Sequence, residues 1–184
     1  MMKKSLFVII LLCIFFFACK SEKQKEGLEK TDLMLQRIEV LENKLSDPQV
    51  EAYKKIYDTT KIYIAFFESL PPNYERTDSI MELIYNYGTV DKCFKKLHSL
   101  HLAQLSEALN LSKSQITNLR HDIDKDLFTD EEIDTYIHTE DSILSEIELL
   151  INSKLEFARI HAEKYKTYHP MIVNLKKEFE EKYF

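Results

Sequence analysis

The chain has 184 residues, with 25 Lys or Arg against 31 Asp or Glu, a formal net charge of -6. Such an acidic protein is repelled by nucleic acid and by anionic headgroups, so neither is an expected partner surface. Two glycines and four prolines are too few for the many tight turns of a sheet protein, and the expected class is all-α.

The chain opens with Lys3 and Lys4, an unbroken apolar run from Leu6 to Phe17, then Ala18-Cys19 and the charged Lys20-Ser21-Glu22-Lys23. A basic start, a short apolar core and a small residue before the cleavage point make a secretory signal. Roughly a dozen apolar residues fall short of the about 20 that a helix needs to cross the hydrocarbon core. Phe16-Phe17-Ala18-Cys19 resembles the lipobox of bacterial lipoproteins. Ala18 supplies the small residue required before the cysteine, whereas Cys13 follows Leu12 inside the apolar run. Phe16 stands where an aliphatic residue is usual, a departure that Bacteroidota and spirochaetes tolerate.

The resemblance implies that residues 1–18 are removed and that Cys19 carries a diacylglyceryl thioether and usually an acylated amine. Two or three acyl chains anchor stably where one holds only marginally, so the membrane is a partner through lipid. Lys20 lacks the aspartate that retains many enterobacterial lipoproteins in the inner membrane, which favours the outer membrane, on its periplasmic or surface side. Losing Lys3 and Lys4 makes the mature chain two charges more negative. Once Cys19 is acylated only Cys93 remains, so no intramolecular disulfide forms. Cys93, beside Phe94, reads as a buried small hydrophobe.

Residues 19–30 carry many charges and little apolar surface, which predicts a charged flexible tether. Residues 31–184 are expected to form a single α-helical domain. Its first helix spans Thr31 to Leu45, with Met34, Ile38, Leu41 and Leu45 on one face. Asp47 caps a second, with Pro48 at its first position, ending at Pro71-Pro72. A short third helix from Thr77 to Tyr87 is expected to stop at Gly88 in a left-handed cap. The fourth runs from Val90 to Asn110, and a fifth opens at Ser112, where Ser-Lys-Ser-Gln has capping-box spacing.

Thr129-Asp-Glu-Glu has the same spacing and opens the longest helix. Its apolar stripe repeats every seven residues at Ile137, Leu144, Ile151, Ala158 and Tyr165, with Tyr136, Ile143, Leu150 and Phe157 beside it. Unbroken to Tyr168 it would span on the order of 57 Å. Pro170 is expected to kink or end it. Short connections predict an antiparallel helical bundle with this long C-terminal helix as its spine.

Signals for chemistry are sparse. His98 and His101 lie three apart, with Asp91 two turns earlier as a candidate oxygen ligand, but nothing else is tied to that face. The Glu-x-x-His motif of bundle metal sites and the zincin His-Glu-x-x-His are absent, as are a glycine-rich phosphate loop and a Cys-x-x-Cys pair. No cofactor or metal is expected. His161 shares the seven-residue stripe with Glu140 and Lys154, which either set register inside a core or mark where the stripe meets solvent. His138 follows Asp134 by one turn. Tyr53, Tyr57, Tyr63, Phe66, Phe67, Tyr74, Tyr85 and Tyr87 supply either core bulk or a binding face. The expected function is a non-enzymatic interaction or accessory module of the cell envelope with a protein partner. The alternatives are a carrier with a ligand pocket between aromatic helices and, third, a metal-dependent enzyme using His98 and His101.

Overall fold

The computed structural model describes residues 20–184; the expected signal segment 1–18 and the expected lipid site Cys19 lie outside them. The described chain is all-α, with α1 (Glu22–Leu45), α2 (Pro48–Glu68), α3 (Asp78–Lys96), a π-helical turn (Leu97–His101), α4 (Leu102–Asp124) and the long C-terminal α5 (Asp130–Tyr183).

Each helix buries side chains at alternating spacings of three and four. The stripe is Gln24, Gly27, Thr31, Met34, Ile38 and Leu41 on α1, and Leu105, Leu109, Ser112, Ile116, Leu119 and Ile123 on α4. On α2 buried Val50, Tyr53, Thr60 and Phe67 alternate with half-buried Tyr57 and Ile64. On α5 one column is Ile137, Leu144, Ile151, Ala158, Tyr165, Ile172 and Phe179; the other is Glu140, Ile147, Lys154, His161, Tyr168 and Leu175. A 3,4 repeat is the pattern that packs helices knobs into holes. It defines a helical bundle.

The chain divides into two compact units. The first takes the described residues up to Arg37 together with Ser112–Ile143. Here Lys23 meets Asp134 at 2.9 Å and Arg37 meets Asp141 at 2.5 Å, so α1 runs parallel to α5. Arg120 meets Asp32 at 2.6 Å and Lys20 meets Asp124, so α4 runs antiparallel to α1. The second unit is Ile38–Leu111 with Leu144–Phe184. Its α3 runs antiparallel to α2, through Tyr53 against Phe94 and Tyr63 against Tyr87. Two apolar cores lie in this unit. One gathers Tyr53, Val90, Phe94, Leu97, Ala158 and Ala162; the other gathers Phe67, Leu70, Tyr87, Ile172, Leu175 and Phe179.

Several expectations are corrected. Residues 22–30 are helix, not flexible tether. Their buried positions are Gln24 and Gly27, neither of them a large apolar residue, and the Lys20, Lys23 and Gln24 side chains bond to Asp124, Asp134 and Asp126. The domain therefore begins earlier than residue 31 and comprises two units. Asp47 does cap α2, accepting from the Gln49 amide at 2.7 Å. The connection at Ser46-Asp47 does not fold the chain back, however: Lys44 meets Asn152, and Asp47 and Tyr53 share one cleft with Arg159. The end of α1 and all of α2 thus follow α5 in the same direction.

Gly88 does not end a helix. α3 passes through it without positive φ, because Tyr87, Val90 and Phe94 hold both sides of it in one buried stripe. Ser112 is not a cap either; it is buried in the α4 stripe. The capping box at Thr129 forms as expected, with the Thr129 amide donating to Glu132 Oε2 at 2.8 Å and the Glu132 amide to Thr129 Oγ1 at 3.3 Å. α5 continues through Pro170. Proline inside a helix costs about 3 kcal/mol, which the burial of Ile172 and the bonding of His169 on either side offset.

The π turn explains how α3 and α4 share one stripe. Continuing 3,4 spacing from Tyr87, Val90, Phe94 and Leu97 would bury residues 104, 108 and 111, whereas Leu105, Leu109 and Ser112 are buried. The stripe is one residue late. The Leu102 amide donates to the Leu97 carbonyl, five residues back, so the turn absorbs one extra residue.

Deleting Ser99 should convert this turn to α-helix while keeping both stripes aligned. Cooperative unfolding and helical circular dichroism would persist, and their loss would show that the turn does more than absorb a residue. The glycines should respond in opposite directions. A Cβ on Gly27 would lie 2.9 Å from Ile133 Cγ2, while one on Gly88 meets nothing closer than Ile64 Cδ1 at 3.9 Å. Gly27→Leu should cost about 1–3 kcal/mol by overpacking and Gly88→Ala should stabilise by about 0.5–1 kcal/mol, both read from denaturant midpoints.

Candidate functional site

In the second unit, α3 and the π turn face α5 across an open groove. Two adjoining hollows of about 430 Å³ and about 580 Å³ share Cys93, Lys96 and Phe157. Leu97 and Ile160 line the first, and Tyr85, Lys92 and Lys164 the second. Residues 92 and 96 are one helical turn apart, as are 153 and 157, so each wall repeats at helical spacing.

Phe157 and Ile160 of the groove continue along α5 into Leu149 and Leu150, which lie outside its lining. Leu149 is 70% exposed, Leu150 50%, Phe157 53% and Ile160 43%. These outward residues flank the buried stripe of α5, and Phe157 lies over the His161 ring at 4.3 Å between centroids. His161 itself is buried, with Nδ1 3.0 Å from the Phe157 carbonyl. Of the neighbours foreseen beside the stripe, Tyr136, Ile143, Leu150 and Phe157 are all exposed, so α5 carries a second, outward apolar line seven residues apart.

Its electrostatics oppose those of the whole chain. Among the described residues, Lys92, Lys96, Lys154 and Lys164 make no ion pair. The neighbouring acids of α5 are occupied on their own helix, Glu156 by Arg159 at 2.7 and 2.8 Å and Glu163 by Lys166 at 2.8 Å. Burial, then Lys154 and Lys96, lower the proton affinity of His101. Burial pushes the Cys93 thiol up to about 11 against a small opposing effect of Lys164. At neutral pH the thiol keeps its proton and is a poor nucleophile.

The residues singled out for metal binding do not assemble. His101 faces this groove, whereas His98 sits in the field of Glu51, Lys54 and Asp58 of α2. Asp91 is committed to Thr60, whose Oγ1 lies 2.9 Å from Asp91 Oδ1 and 3.0 Å from the Tyr57 carbonyl. Among the described residues no three His, Cys, Asp or Glu side chains come together as a metal site requires. Asp134 binds Lys23, and His138 is exposed in the first unit.

Most of the aromatic residues are core. Tyr87 is fully buried and its hydroxyl lies 2.8 Å from His169 Nδ1. Burial raises the Tyr87 pKa and lowers that of His169, so a protonated hydroxyl shares this hydrogen bond with a neutral imidazole. Tyr165 stacks on His169 at 4.6 Å and Tyr63 meets it edge-on at 5.1 Å. Tyr85, 69% exposed, is the tyrosine of this region that turns outward to the groove. Sequence reasoning missed the groove because its lysines come from two helices; the exposed seven-residue line was its visible half.

No family model matches the chain, and no curated protein or solved structure does either.

Burial lowers the His169 pKa from its ordinary 6.5. The unfolded chain then takes up the proton more readily than the folded one. The stabilisation is fully present above pH 6.5 and is lost as pH falls below it through the lowered folded value; His98 and His101 act in the same direction. The denaturant midpoint should fall between about pH 7 and about pH 5, less steeply in His169→Gln, whose amide can still hydrogen-bond the Tyr87 hydroxyl but does not titrate. An unaltered slope would exclude His169 as a contributor. Tyr87→Phe should cost about 1–3 kcal/mol at neutral pH by leaving the imidazole nitrogen unsatisfied.

Proposed function

We propose that this is a lipid-anchored helical protein of a bacterial cell envelope, held by Cys19 and serving as a non-enzymatic docking module for another protein. The observation that carries the docking reading is the exposed line of Leu149, Leu150, Phe157 and Ile160 beside unpaired lysines. Contiguous exposed apolar surface rimmed by polar residues marks interaction sites. The anchor rests on the lipobox resemblance of residues 16–19. It is consistent with the described helices, none of which is long and apolar enough to cross a membrane. Outer-membrane residence follows from the same resemblance, with the domain displayed on one side.

The docking face differs from the aromatic region of α2 and α3 first considered for it. Tyr87 and Phe67 are buried there and Tyr74 is half-buried, which leaves little of those rings to present. A carrier reading is favoured by one observation, the groove volume of about 430 Å³, within the range that small ligands occupy. Its open side suits a macromolecule better, because small-ligand pockets bury most of their ligand.

Cys19→Ala should abolish acylation and release the chain from the membrane fraction; retained acylation would refute the anchor. A photo-crosslinking residue in place of Ile160 should capture one discrete partner in intact cells, while the same residue in place of exposed Lys61 on α2 should not. Equal capture at both positions would remove the docking face from α5.

A further inference from the structure

The geometry points to an acidic amphipathic helix of a partner protein as the occupant of the groove between α3 and α5, an inference that rests on the docking reading. The outward apolar residues of α5 keep helical bookkeeping: Leu150 and Phe157 are seven apart and Ile160 follows by three. That is the start of a second 3,4 seam on a helix whose first seam is already buried. A partner helix laid along α5 meets such a line turn after turn, with anchors at i, i+3 and i+7. An extended peptide, repeating every two residues, would meet it irregularly.

Charge fixes the partner's chemistry. Lys154 lies one turn after Leu150 on the α3 side of the line, Lys164 lies seven residues after Phe157, and Lys92 and Lys96 line the opposite wall one turn apart. Residues flanking an apolar seam choose the partner by charge. The four lysines lack acidic partners among the described residues, and Glu156, which lines the groove with them, is held by Arg159, in a chain of net charge -6. A helix carrying Glu or Asp beside its apolar line satisfies all four lysines; a basic helix meets four like charges.

An anionic membrane is a poorer occupant. The floor residues Cys93 and Leu97 lie below the rims formed by Tyr85 on α3 and Phe157 on α5. A convex ligand reaches such a floor and a flat surface touches only the rims. Glu156, which lines the groove itself although Arg159 holds it, would also repel the headgroups.

The test uses the full lipidated chain in detergent and two fluorescent peptides of three heptads each. Both have Leu on the seam, one with Glu and the other with Lys at the flanking positions. Fluorescence anisotropy should show the Glu peptide bound at least about tenfold more tightly than the Lys peptide. Lys96→Glu combined with Lys154→Glu should reverse that preference, with helical circular dichroism unchanged. Phe157→Ser should weaken both peptides. Equal affinity for the two peptides, or a preference unmoved by the double reversal, overturns the inference. Phosphatidylglycerol vesicles that bind Cys19→Ala protein and lose it on the same reversal also overturn it, by making the membrane the occupant. If the Glu peptide fails while the Ile160 crosslink still captures a partner, the acidic helix is wrong and the docking face stands; if both fail, both readings fall.

Discussion

An α-helix has 3.6 residues per turn, so side chains repeating every seven residues drift around it by about 20° per heptad unless neighbouring helices wind with it. α5 carries two such columns, from Ile137 to Phe179 and from Glu140 to Leu175. Every other helix buries the same 3,4 spacing, and this shared period lets each pack along its neighbours for several turns. The π turn follows from that constraint. Where α3 gives way to α4 the sequence holds one residue too many for the repeat, and a five-residue turn at Leu97–His101 absorbs it. The alternative is to rotate the α4 stripe by about 100°, which would take Leu109, Ile116 and Ile123 out of the core.

A uniform apolar seam specifies its register poorly, because shifting by one heptad costs little. The polar and small residues in these stripes answer that weakness. Gly27 admits Ile133, Ile123 and Ile137 so closely that a Cβ would not fit without displacement. Thr60 is fully buried against Asp91, and Tyr87 bonds His169 inside a ring of aromatics. Each of these is satisfied in one alignment only, since a slip would strand a buried hydroxyl or imidazole at a cost of about 1–3 kcal/mol. Ser112 Oγ and Glu140 Oε2 find no hydrogen-bond partner among the described residues, and burial raises the Glu140 pKa. Both lie in the first unit, whose stripe is the more polar at its α1 end.

Apolar residues on a helical period were legible from sequence. Met34, Ile38 and Leu41, the Ile137 to Ala158 stripe and the caps at Asp47 and Thr129 are all where their pattern places them. Punctuation misled where packing outweighs local preference. A glycine in a helix costs about 1 kcal/mol against alanine, far less than the burial of Tyr87, Val90 and Phe94 around Gly88 returns. Residues 22–30 were opaque for the opposite reason: their core positions are Gln24 and Gly27, which no hydrophobic pattern detects. The groove was half legible. Its apolar line repeats on one helix, but its lysines belong to segments about 60 residues apart in the chain and become one patch only when α3 and α5 pack.

The outward line of α5 is expensive to leave bare. Burying an apolar side chain such as Leu or Phe is worth about 1.5–3 kcal/mol, and Leu149, Leu150, Phe157 and Ile160 forgo half or so of that in the uncovered chain. The lysines beside them also hold one another apart without counter-charges. A helix that needed only to stabilise its own bundle would carry Glu and Lys at these positions in i, i+3 and i, i+4 pairs, as Lys23, Glu26 and Lys30 do on α1. Exposed apolar residues such as Val40, Ile62 and Leu111 occur elsewhere, but at the face between α3 and α5 they adjoin lysines that make no ion pair among the described residues. The same face supplies both what a second helix would cover and the charge that would choose it, so affinity and selectivity arise there from one arrangement of α5 against α3.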